Sequence, residues 1–222
     1  MDLGSGTGLS TRYWADTAEQ VTGIEPNEDM RRRASTITTE ANVEYRKGTS
    51  SETGLPDQAA DIVTCGQSLH WMEPASTFAE VARILRPGGV FAAYDFDWPP
   101  TTGVWRADQA YHECMQGISE LDEKMSREKR VRKWDKEEHL RRMAESKRFR
   151  YTKEVVVHHT EDGDAERFIG LLLSQGGVRT LLKAGRSEEA LGITAFRNAC
   201  YDLLGSGKRT WYWSARVRIG VK

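Results

Sequence analysis

The segment Asp2-Leu3-Gly4-Ser5-Gly6-Thr7-Gly8 limits what this chain can fold into more than any other stretch. Glycines at alternate positions let the backbone turn tightly and approach a ligand closely, because no Cβ stands in the way. The amphipathic run Leu9–Ala15 places a helix N-terminus beside the loop, where free N–H groups suit a carboxylate or a phosphate. Taken alone, the loop is as well explained as a plain tight turn. Glu25, seventeen positions after Gly8 and at the end of the apolar run Val21–Ile24, strengthens the binding reading. A nucleotide-binding sheet presents an acid at that place to two ribose hydroxyls. Asn27 and Glu28 suit the cap of a following helix, the structural alternative for that local cluster. A dinucleotide fingerprint would need a third glycine at position 9, which is Leu9, so a nicotinamide (NAD) oxidoreductase is a minor alternative.

Up to Tyr94 short β-like runs alternate with helix-like runs, the rhythm of a parallel sheet with crossover helices. The spacing predicts strands over Val21–Ile24, Val43–Arg46, Asp61–Cys65 and Val90–Tyr94, and helices over Leu9–Ala15, Met30–Ala34 and Phe78–Leu85. Arg86-Pro87-Gly88-Gly89 reads as a turn that closes the last helix and launches the next strand. After Pro99-Pro100 the character changes. Lys124 to Arg150 holds twelve Lys and Arg against five Asp and Glu, a net of +7, with Trp134, Leu140 and Met143 as a narrow apolar stripe. This reads as a solvated helix face in a lid between strands, with a patch that draws an acidic substrate as the alternative; Arg130, Arg132 and Lys133 would test it. Val155–Val157 reads as a strand, with His158-His159 at its end; Phe168–Leu182 and Ala190–Leu204 read as helices. The alternation of Trp211, Trp213, Ala215, Val217, Ile219 and Val221 predicts a final strand with one buried face, ending the sheet in an antiparallel pair. The expected organisation is a single domain, 1–222, with a core at 1–98, a lid at 99–148 and sheet-completing strands and helices at 149–222.

Charged residues at 29%, hydrophobic ones at 38% and a net charge of −1 describe an ordinary globular chain, with nothing that calls for nucleic acid or a membrane. No apolar run approaches the roughly 20 residues of a membrane span, and no secretory signal is visible. Cys65, Cys114 and Cys200 are scattered, which argues against a disulfide framework or a zinc site; no metal is expected, and the cytoplasm is the expected location.

Four segments in order give this chain a resemblance: Asp2–Gly8, Gly23-Ile24-Glu25-Pro26, Gly48–Pro56 with Asp61-Ile62-Val63, and Leu85-Arg86-Pro87-Gly88-Gly89. Gln67-Ser68-Leu69-His70-Trp71 adds a fifth. Together they cover most of residues 1–95, and the chain resembles the class I methyltransferases that use S-adenosylmethionine (SAM), in particular the methyltransferase type 11 group of small-molecule enzymes such as trans-aconitate methyltransferase. The C-terminal part is similar more loosely. The resemblance implies a Rossmann-like α/β sheet, mostly parallel with an antiparallel last strand. It implies SAM as cofactor and a small-molecule acceptor, a carboxylate or a hydroxyl among the candidates. Gly4, Ser5, Gly6 and Gly8 would surround the methionine part of SAM, with Asp2 near its ammonium. Glu25 would take the ribose hydroxyls, and Pro26 and Met30 would flank the adenine. Ser50 and Ser51 stand where many relatives carry an acid for the adenine edge. Gln67 would lie beneath the sulfonium. His70 is the candidate base, since an imidazole titrates near neutral pH, with a packed His–Trp pair as the alternative. Trp71, Asp95 and Trp98 are candidate substrate contacts, although Asp95 and Asp97 equally suit a cap on the turn before Pro99-Pro100.

The glycine loop starts at residue 4, where relatives carry a helix and most of a hydrophobic strand before it. The first strand is therefore expected to be largely missing, and the chain to be an incomplete one. Two neighbouring strands would then lose partners at about 1–3 kcal/mol per buried group, against a total stability of about 5–15 kcal/mol. A degenerate, non-catalytic methyltransferase fold is the second function class; the intact loop favours the enzyme.

Overall fold

A computed structural model of the chain describes residues 1–125 and 133–222. The strands are β1 (Asp2–Leu3), β2 (Val21–Ile24), β3 (Val43–Arg46), β4 (Ala60–Gly66), β5 (Leu85–Phe96), β6 (Tyr151–Gly163) and β7 (Arg209–Val221). The helices are α1 (Leu9–Tyr13), α2 (Glu28–Ile37), α3 (Pro74–Ile84), α4 (Trp105–Met125), α5 (His139–Glu145), α6 (Ala165–Ser174), α7 (Gly176–Lys183) and α8 (Ile193–Leu204). The sheet runs β3-β2-β1-β4-β5-β7-β6. Its pairs from β3 to β5 are parallel, and β7 runs antiparallel to β5. This is the Rossmann-like sheet expected. Among the described residues no helix is long and apolar enough to cross a membrane.

The chain forms two compact units, one of Met1–Phe96, Val131–Val157 and Ala215–Lys222, the other of Asp97–Arg130 and His158–Ser214. The stretch 99–148 read as a lid contributes to both.

In the first unit the central strand β1 is two residues long, paired through Asp2↔Gly23, Leu3↔Ile24 and Asp2↔Thr64. The backbone beyond it continues the job. Gly4 N and Ser5 N both donate to Ile24 O, Thr64 N donates to Met1 O at 2.7 Å, and the α-ammonium donates to Ile62 O at 2.8 Å. Leu3, Val63, Phe78, Val81, Ile84 and Phe91 are fully buried around it. Phe91 stacks on Phe149 at 5.8 Å, and Phe78 meets both edge-on, geometry worth about 0.5–1.5 kcal/mol per pair beyond burial. Asn27 caps α2 as expected, its Oδ1 accepting from Met30 N.

The stretch Arg86–Gly89 departs from its reading as a turn between elements. Helix α3 passes straight into β5 at Leu85, and the four residues bulge between the pairs Ala60↔Leu85 and Ile62↔Val90. Gly88, at φ +80°, shapes the bulge, which is stitched to Lys222 by hydrogen bonds from Gly88 N to Lys222 O and from Lys222 N to Gly89 O.

In the second unit α4, α6, α7 and α8 enclose Tyr111, Phe168, Phe196 and Trp211. The single helix expected over Phe168–Leu182 is two, α6 and α7. Gln175 takes an extended ψ of 135° ahead of Gly176-Gly177, and the apolar spacing that continues on both sides hides the break. Helix α8 begins at Ile193, later than expected, because Gly192 is left-handed at φ +71°. His158 lies inside β6 rather than at its end, with Nδ1 3.0 Å from Ser214 Oγ.

The predicted buried face of β7 holds only at its start. Trp211 and Trp213 are buried, but further along the buried side chain is Arg218, at 2% exposure, while Val217 and Ile219 are only partly covered. An arginine takes an inward position here because two carboxylates wait for it.

Candidate functional site

The parallel order brings the C-terminal ends of β1, β2, β3 and β4 to one edge of the sheet, the place where such sheets bind ligands. The glycine loop follows β1, Glu25 and Pro26 follow β2, Ser50 and Ser51 follow β3, and Gln67 follows β4. Sequence and structure agree on this gathering.

Gly4, Gly6 and Gly8 all have positive φ, at +66°, +54° and +82°. A Cβ at Gly8 would stand 2.1 Å from the Tyr45 hydroxyl, whereas one at Gly6 would meet open space. The loop is therefore packed from beneath at Gly8 and bare at Gly6. Glu25, at 6% exposure, reaches into it: Oε2 accepts from Gly6 N at 3.0 Å and Oε1 accepts from Asn27 N at 2.9 Å. Ser5 is buried, and its Oγ has no hydrogen-bond partner among the described residues. Asp2 lies under the loop as a strut. Its carboxylate accepts from Thr11 Oγ1 at 2.8 Å and Thr64 Oγ1 at 2.9 Å, and burial pushes its pKa above the usual carboxylate range. Met30 is half exposed at the start of α2, beside exposed Pro26. Ser50 Oγ accepts from Thr77 Oγ1, and Ser51 Oγ lies 3.2 Å from Thr49 Oγ1.

A second cluster stands at the ends of β4 and β5. Asp95, at 3% exposure, is held by Lys136 Nζ on Oδ1 and by Arg218 Nη1 on Oδ2, both at 2.9 Å. Arg218 Nε in turn contacts Glu154 Oε2 at 2.9 Å. Asp95 is thus the hub of a buried ion network, not the cap of the turn before Pro99-Pro100. Lys136 Nζ also donates to Gln67 Oε1 at 2.9 Å. His70 Nδ1 lies 3.8 Å from Asp95 Oδ1. Burial, reinforced by Lys136, lowers the pKa of His70 to about 4, and burial with Arg218 does the same for His139.

Residues 1–93 match the family model of the methyltransferase domain. That segment, 93 of the 222 residues, is similar to methyltransferase domains. An uncharacterized methyltransferase of Mycobacterium tuberculosis is 38% identical over 91 residues, which are 40% of this chain and 36% of that protein. The uncharacterized methyltransferase YcgJ of Bacillus subtilis is 28% identical over 99 residues, 43% of this chain and 39% of its own. The matched stretch thus spans little more than a third of these relatives. In solved structures the YcgJ fold superposes with a TM-score of 0.59 at 18% identity, covering 100% of this chain and 90% of that one. A protein of Anaeromyxobacter dehalogenans, provisionally named a type II methyltransferase, gives 0.68 at 21%, covering 99% and 88%. These two likenesses show the fold.

In the first unit, Trp71 is 46% exposed, with Lys133 Nζ 4.7 Å from its ring centroid and its ring 5.0 Å from that of His70. Trp98 belongs to the second unit, where it meets Trp213 edge-on. Arg130 and Arg132, singled out with Lys133, lie outside the described residues. Sequence reasoning missed Lys136, His139, Glu154 and Arg218. Lys136 sat unremarked in the basic stretch. Arg218 pairs with an aspartate 123 positions away, and no local pattern signals that.

The two lowered imidazoles carry a prediction. An unfolded histidine titrates near 6.5, so between that pH and about 4 the unfolded chain binds protons that the fold refuses. Their contribution is intact above pH 6.5 and is lost as pH falls toward 4, by on the order of 2–3 kcal/mol per histidine at the lower end. Urea midpoints are expected to drop across this window, and His139→Asn to flatten the drop by about half. Midpoints that stay level from pH 7 to 5 would show that neither ring is held neutral.

Proposed function

We propose that this chain binds SAM at the glycine-loop edge and transfers its methyl group to a small-molecule acceptor, with a carboxylate or a hydroxyl as the acceptor group. The carrying observation is the Glu25 carboxylate, buried and tied to Gly6 N–H within a loop of three left-handed glycines. That arrangement fits the cofactor. The bare face at Gly6 and the unpartnered Ser5 hydroxyl suit the methionine tail, and Glu25 suits the ribose diol. Pro26 and Met30 offer an apolar flank for adenine, and Ser50 and Ser51 its polar edge. Asp2, with both oxygens engaged, supports the loop and acts on the ammonium through its field.

Bound SAM supplies a methyl group on an electrophilic sulfonium, so the transfer is a direct displacement and the protein's task is alignment and exclusion of water. A carboxylate acceptor needs no base. For a hydroxyl acceptor His70 is the proton acceptor, already neutral at physiological pH though weakly basic. Lys133 and Lys136 make the stretch 99–148 a source of acceptor-side residues.

The test is calorimetric titration of SAM and S-adenosylhomocysteine into the full chain. Both are expected to bind, and Glu25→Ala to weaken both about 100-fold, since two hydrogen bonds to a charged acceptor are worth about 3 kcal/mol or more. A folded chain that binds neither would place it among degenerate members of the fold and overturn the proposal.

A further inference from the structure

Gln67 has a φ of +52°, a conformation that residues with side chains seldom adopt and that tends to mark functional positions. It stands directly after β4, with its backbone N–H donating to Tyr94 O at 2.9 Å. Its side-chain Oε1 accepts from Lys136 Nζ. An ammonium has only donors, so the amide atom facing it is the oxygen, and the orientation of the amide is fixed. The NH2 group is turned the other way. Its Nε2 is buried and has no acceptor among the described residues. Buried donors in native proteins rarely stay unmatched, so this one points to an oxygen supplied by a ligand.

A sulfonium is a cation and offers an NH2 group nothing. The Gln67 amide would serve the cofactor's sulfur only with its oxygen forward, and Lys136 holds that oxygen back. Lys136 also forms an ion pair with Asp95 Oδ1 at 2.9 Å. Its own anchor, Asp95, is shared with Arg218, so removing Lys136 leaves that carboxylate paired.

We propose that Lys136 is a positioning residue that turns the Gln67 amide so that its NH2 group recognises a carboxylate oxygen of the acceptor molecule. Gln67 then belongs to the acceptor side of the site, and the acceptor class is a carboxylic acid. The proposal rests on the methyltransferase reading.

The experiment follows the Gln67 side-chain NH2 resonances in the full chain saturated with S-adenosylhomocysteine. Succinate, benzoate and octanoate are titrated in turn, each against its primary amide. At least one carboxylate is expected to shift the signal saturably, with its amide inert. Lys136→Met is expected to weaken that carboxylate about tenfold or more while S-adenosylhomocysteine affinity stays within about twofold. By calorimetry, Gln67→Glu is expected to lose the carboxylate as well, because it replaces the donor with a like charge; this variant decides the matter if Lys136→Met fails to fold. The proposal is overturned if no carboxylate moves the signal, if the amides bind as well, or if both variants keep carboxylate affinity. A failure of S-adenosylhomocysteine to bind, seen before any carboxylate is added, overturns the methyltransferase reading and takes this proposal with it.

Discussion

Replacing Asp95 with alanine is expected to lower the stability of the chain by about 3–5 kcal/mol, the usual result of removing one partner from a buried ion pair. Arg218 is 2% exposed and cannot follow its charge into water without unseating β7 beside β5, where Asp95 pairs with Arg216 and Ala93 with Arg218 in register. Glu154 would still neutralise Arg218 through Nε, but the Nη1 hydrogen bond would have no replacement. Lys136, with its side chain 35% exposed, would turn outward and release Gln67. Against a total of about 5–15 kcal/mol, such a loss removes about a fifth of the fold's margin at the least and all of it at the most. Two further variants separate charge from packing. Asp95→Asn keeps the shape and an acceptor and should cost less than Asp95→Ala. Asp95→Ala combined with Arg218→Met removes both buried charges and should recover part of the loss, because an apolar pair of similar volume often matches an ion pair. Urea melts followed by circular dichroism give the numbers. A loss under about 1 kcal/mol for Asp95→Ala would mean that the network is solvated and contributes as surface pairs do.

That network marks the limit of what the chain discloses locally. The glycine loop, Glu25, the alternating strands and helices and the Asn27 cap are readable because each rests on a short-range rule: left-handed glycine, an acid after an apolar strand, a side-chain oxygen before a helix. Their gathering at one sheet edge follows from parallel topology, which the βα rhythm already implies. Arg218 is unreadable for the opposite reason. The alternation Trp211, Trp213, Ala215, Val217, Ile219 assigns it outward, and only the coincidence of β5 with β7 places Asp95 where it can draw the guanidinium in. Lys136 is hidden in a run of charges whose solvated reading holds for most of its members. The break at Gln175 is invisible to periodicity because α6 and α7 each keep an apolar face. Asp95 and Gln67 share one feature that no local pattern signals: a lysine from far along the chain reaches Asp95 Oδ1 and Gln67 Oε1, atoms that the sequence left free for a ligand.

Gly8→Ala is expected to reduce SAM affinity by more than about 100-fold, equivalent to about 2.7 kcal/mol or more. Two costs combine. At φ +82° a residue with a Cβ is strained by about 1–2 kcal/mol. The new carbon would also stand 2.1 Å from the Tyr45 hydroxyl and 2.7 Å from its ring carbon Cζ, so something must move. Tyr45 has little room to retreat, because its ring already fills the space beside Gly23, where a Cβ would come within 2.6 Å of it, and its hydroxyl is bonded to Thr38 Oγ1 at 3.0 Å. The loop therefore shifts instead, and with it Gly6 N–H, the group that Glu25 holds in place. Gly6→Ala is the informative control. It carries the same left-handed strain at φ +54° but meets nothing within 4 Å inside the protein, so any loss it shows on fold stability reflects backbone alone. Gly8→Ala should melt lower than Gly6→Ala, and Gly8→Ala with Tyr45→Leu should regain stability toward the Gly6→Ala value. If Gly8→Ala binds S-adenosylhomocysteine within about tenfold of the natural chain, the close packing of Tyr45 beneath the loop does not set the cofactor site. The adenosine side, through Glu25, would then carry most of the affinity.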